Sequence, residues 1–162
     1  MNTLRLLRLG HFAGLILFLG SIFSFILITN LAQNEPLSDL AFARRIISAG
    51  TTHLTLPGLW LLAVTGLGLG LLKYGAGSRF FRIKLLLTAL IVINAHLFVA
   101  PAVNRASSIA MESLAAGHLG SAYSSAFKRE EMFGVTNVLL ALATAVVAVW
   151  RLGTKGRTGK SY

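Results

Sequence analysis

The chain has 162 residues, of which 55% are hydrophobic and 12% charged, with no cysteine and a formal net charge of +10. That balance excludes an ordinary soluble domain, and the missing thiols exclude disulfides, iron–sulfur clusters and thiolate metal sites. The excess of positive charge implies no nucleic-acid partner, because the basic residues flank apolar runs, where anionic lipid headgroups meet them.

Apolar runs lie at about 9–32, 46–72, 85–103 and 132–150. Each is near the ~20 residues that cross a bilayer. The first helix opens near Leu9, too long and without the cleavage site of a signal peptide, and ends around Leu31 before Asn34 and Pro36. Gly10, Gly14 and Ser21 share one of its faces and admit a neighbouring backbone. Ser38 is the expected N-cap of the second helix, which carries Arg44 and Arg45 at the headgroups and bends at Pro57. Gly66, Gly68 and Gly70 thin its far half; with no strand before them they are a packing device, not a nucleotide loop. A tight turn at Tyr74–Ser78 leads into the third helix near Arg79, which runs past Pro101 into a polar stretch. Gly117 and Gly120 bracket the last turn, and the fourth helix spans about Ser121 to Leu152.

The predicted fold is therefore all-α: a four-helix transmembrane bundle over 1–152, followed by a basic tail at 153–162. Ten of the fifteen basic residues fall in the N-terminal tail, the second connection and the C-terminal tail, where no acidic residue occurs. All five acidic residues sit with the other five cations in the first and third connections. The positive-inside rule then puts both termini in the cytoplasm, as expected for a bacterial inner-membrane protein, with helices three and four projecting beyond the outer face.

Polar side chains at bilayer depth cost several kcal/mol without partners, so four histidines need a reason: His11, His53, His96 and His118. Counting from Lys84, His96 lies roughly 18 Å into the third crossing, and from Arg45 and Lys73, His53 lies roughly 30 Å along a second helix of about 42 Å. Tilt or a bend brings the two within a few Å of one level. They are thus candidate axial ligands of a b-type haem, with Trp60 and Phe98 as walls; alternatively each bonds a neighbouring helix, or they hold a divalent metal ion. His118 extends the metal reading to a copper or zinc site with His96 and His53. His11 sits about one turn inside Arg8, near the level where Lys84 can pair a carboxylate.

Three stretches carry a likeness: LRLGHFAGLILFLG in the first helix, TLPGLWLLAVTG in the second and FRIKLLLTALIVINAH in the third. They resemble bacterial four-helix membrane proteins that include the HemJ-type protoporphyrinogen oxidases and the CopD-type copper-resistance domains. KREEMFGVTNVLLAL is similar to the stretch opening the last helix of HemJ-type proteins. The resemblance implies a haem-associated redox protein, with His11, Lys84 and His96 matching the family's helix-one histidine, helix-three lysine and helix-three histidine. The sequence departs from the pattern at Leu15–Phe18, where a tryptophan is usual, and at His53–Thr55, where a basic residue precedes the proline.

The leading expectation is a cytochrome b-like electron carrier that binds haem b near the outer face and exchanges electrons with quinone. His53, His96, His11 and Lys84 are its candidate cofactor residues. The alternatives are a non-catalytic accessory subunit of a larger membrane complex, docked through its glycine faces, and a copper- or zinc-handling protein using His53, His96 and His118.

Overall fold

The computed structural model describes residues 2–150. Within them the chain forms four helices: α1 (Thr3–Ala32), α2 (Leu37–Tyr74), α3 (Arg79–Ala116) and α4 (Ser121–Val149). All four are long and apolar enough to cross a membrane. The proposed tail at 153–162 lies outside the described residues.

Local chemistry sets the ends. The Ser78 hydroxyl accepts from the Phe81 N–H at 3.2 Å and caps α3. Gly75 and Gly117 terminate α2 and α3 with φ of +74° and +76°, a backbone region open to glycine and strained for other residues. Ser38 is not the cap of α2. The helix begins two residues earlier than that cap implies, at Leu37 after Pro36, and the Ser38 hydroxyl turns instead to the Asp39 carboxylate.

The bend expected at Pro57 takes a specific form, and it occurs twice. Residues Thr51–Thr55 of α2 and Ala95–Val99 of α3 are π-helical, with the Leu56 N–H bonded to the Thr51 carbonyl and the Ala100 N–H to the Ala95 carbonyl. Each widened turn comes just before a proline, Pro57 or Pro101. A proline ring crowds the carbonyl four residues back, and one extra residue in the turn relieves that crowding without breaking the helix.

The helices assemble as two tight pairs around a central antiparallel pair. The half of α2 after the π turn packs along α1, and its first half packs on the second half of α3; α4 follows α3 along its length. The α1–α2 crossing runs through glycine: a Cβ on Gly14 would stand 2.6 Å from the Leu62 nitrogen, and one on Gly58 2.7 Å from the Leu17 Cβ. Gly66, Gly68 and Gly70 likewise face His11, Leu7 and Phe81. Ser21 joins the seam through a 2.8 Å hydrogen bond to the Thr55 hydroxyl. These small-residue faces are consumed inside the bundle, so they are not the docking surface that an accessory subunit would offer.

Side chains fill two cores. Phe18, Leu59, Ile91 and Ala95 meet at mid-height, backed by Leu140 and Ala141 of α4. Leu40, Ala41, Ala43, Ile109, Ala110 and Tyr123 pack near the end that carries the acidic connections. The opposite, basic end holds Arg5, Arg8, Lys73, Arg79, Arg82 and Lys84.

Candidate functional site

The π turn in α3 carries His96. Its Nδ1 lies 3.0 Å from the Val92 carbonyl, and its Nε2 lies 3.2 Å from the indole Nε1 of Trp60 on α2. Both partners have fixed roles: a carbonyl only accepts and an indole N–H only donates. His96 is therefore the tautomer protonated on Nδ1, with the Nε2 lone pair holding Trp60. The two rings meet edge to face, centroids 5.7 Å apart.

An apolar groove of about 300 Å³ runs from Trp60 between α2 and α3, with His96 behind the indole as its hydrogen-bond partner. Trp60, Ala63, Val64 and Leu67 form one wall, and Leu85, Thr88, Ala89, Val92 and Ile93 the other. Ala63 and Ala89 leave room where larger residues would close it. Trp60, Val64 and Ile93 are each at least half exposed, so the groove opens sideways, toward where lipid would lie.

His53 does not join His96. The register of α2 on α3 sets Trp60 opposite His96, and His53 stands seven residues earlier, about 10 Å further along the helix axis. It is also exposed. Paired axial ligands need both imidazoles on one iron, so these two residues do not form a ready bis-histidine haem site. His118 is further away still: the turn after α3 lies some twenty residues beyond His96, about 30 Å at helical rise. Its Nδ1 is 3.2 Å from the Ala116 carbonyl, and its ring is exposed. Among the described residues no three His, Asp or Glu side chains gather as a metal site.

Another expected residue, His11, finds its partners on α2. His11 of α1 donates from Nδ1 to the Leu62 carbonyl at 3.1 Å and to the Thr65 hydroxyl at 3.2 Å, while that hydroxyl gives its own proton to the Leu61 carbonyl. The ammonium of Lys84, on α3, lies 5.8 Å from the Phe80 ring centroid. Gly66 makes the space, since a Cβ there would stand 2.9 Å from the His11 Cε1.

Sequence reasoning missed the most buried charge. Arg44, expected at the headgroups, is 1% exposed and pairs with Glu130 of α4. Phe127 lies 5.7 Å from its guanidinium, and its Nε and Nη1 have no partner. The clue was present: Leu40, Ala41, Arg44 and Ile47 recur at helical spacing, which puts Arg44 on the core stripe. Asn94 and Asn137 form a second polar tie, with the Asn94 amide donating to Asn137 Oδ1 at 3.1 Å and to the Phe133 carbonyl at 3.0 Å.

The fold defines a membrane-spanning four-helix bundle. Comparison with known protein families, with curated proteins and with solved structures finds no match to this chain.

Proposed function

We propose that this protein binds a membrane-soluble quinone or quinol in the groove between α2 and α3 and takes part in redox chemistry there, with His96 and Trp60 holding the head group. The observation that carries this reading is the Trp60–His96 hydrogen bond at one end of an otherwise apolar, laterally open groove. A quinol hydroxyl can replace the indole N–H on Nε2 of His96, and the released indole N–H can donate to a ring oxygen. Hydrogen bonds are exchanged one for one, so entry leaves no buried polar group unpaired. The groove's volume is at the low end of ligand pockets, suited to one ring with its tail in the bilayer.

The charge distribution supports placing both termini at the cytoplasmic face of a bacterial inner membrane, with the acidic connections outside. A second reading, haem b bound through His96, is favoured by one observation: the Val92 carbonyl fixes the ring so that Nε2 carries the lone pair, as outer partners do for metal-ligating histidines. Iron there would have to displace Trp60.

Both readings meet one experiment. The purified protein in detergent is titrated with a short-tailed ubiquinol analogue, kept reduced, while tryptophan fluorescence is followed, and its visible spectrum is recorded as isolated. Saturable quenching that His96→Leu weakens about tenfold supports the quinone site; a Soret band lost in the same variant transfers the function to haem. Neither quenching nor a Soret band refutes both.

A further inference from the structure

No Asp or Glu occurs between Asp39 and Glu112, so the whole basic end of α2 and α3 lacks an internal counter-charge. Among the described residues the one ion pair is Arg44–Glu130, which joins the opposite half of α2 to α4. At the basic end Arg79, Arg82, Ile83 and Leu86 line a shallow groove of about 330 Å³ on the surface of α3. Their spacing puts all four on one helical stripe, with two guanidiniums in the first turn and apolar side chains immediately beyond. All four are exposed.

The order of these groups along the stripe matches that of a phospholipid. A phosphodiester lies between two guanidiniums one turn apart, each able to give two N–H donors, and the first acyl carbons follow Ile83 and Leu86 along the spanning helix. The anion has to come from outside the chain, and the bilayer supplies it at the depth where Arg79 begins α3. We propose that the Arg79–Arg82–Ile83–Leu86 stripe is a specific site for one anionic phospholipid, of the phosphatidylglycerol class. Zwitterionic lipids fit it poorly, because their own ammonium is held against two cations.

The test uses the full-length protein in a neutral detergent, with native mass spectrometry reading lipid retention. One phosphatidylglycerol is expected to stay bound, and phosphatidylcholine to leave. Arg79→Gln/Arg82→Gln should weaken retention by about twenty-five-fold, near fivefold per arginine. Arg5→Gln/Arg8→Gln removes the same charge from the same end and should change it less than twofold. Arg79→Lys/Arg82→Lys, which keeps the charge but not the fork, should fall between, and unchanged thermal melts show that each variant is folded. Equal weakening by the two glutamine pairs reduces the site to diffuse charge and overturns the proposal. So does equal retention of phosphatidylcholine, or displacement of the lipid by millimolar inorganic phosphate.

Discussion

Removing Glu130 should damage the bundle more than removing Arg44. The Arg44 guanidinium is 1% exposed and already leaves Nε and Nη1 without partners, so Glu130→Ala strands a full charge with no acceptor. Breaking a buried pair in this way costs about 3–5 kcal/mol. At roughly 2–4 °C per kcal/mol for a chain of this length, the unfolding midpoint in detergent should fall by about 10 °C. Arg44→Met leaves the carboxylate, whose side chain is 14% exposed and can take a proton, so the loss should be nearer 2 kcal/mol. In the double variant Arg44→Met/Glu130→Ala no charge is buried, and its midpoint should lie well above that of Glu130→Ala. Thermal unfolding followed by far-UV circular dichroism gives all four midpoints of the cycle. If the double variant loses the sum of the two single losses, the residues are not coupled and the buried-pair argument is wrong.

Three further outcomes follow from the packing. Gly14→Val drives side-chain carbons against the Leu62 backbone and should cost about 1–3 kcal/mol, whereas Gly20→Ala, with open space around it, should be neutral; melting midpoints read both. An engineered cysteine pair across α1 and α2, in a chain that has none of its own, should crosslink in wild type and lose yield in Gly14→Val. Asn137→Leu removes the side-chain acceptor of Asn94 but leaves the Phe133 carbonyl, so it should cost only about 0.5–1.5 kcal/mol, again read as a midpoint shift.

How much of the site could be read in advance depended on whether its residues answer to local or to long-range geometry. His96 and His11 stand out because polar groups in apolar helices demand partners, and the structure supplies those partners. The offset of His53 from His96 was not legible, because helical rise gives depth along each helix and says nothing of how two helices slide past one another. Trp60, the true neighbour, reads in sequence as one more apolar wall residue. The π turns were invisible for a related reason: a proline announces strain, but whether a helix kinks or widens depends on what packs around it.

The sequence by itself determined the four helices, their approximate ends, their glycine seam and the segregation of charge, because apolar run length, cap chemistry and loop composition are local properties. Only the tertiary structure decided which polar groups meet. Arg44 finds Glu130 across 86 residues, and Trp60 finds His96 across 36, through the register and rotation of helices packed on one another. That register is set by how glycine, alanine and phenylalanine side chains fill the space between backbones. No hydropathy pattern along a single helix contains it.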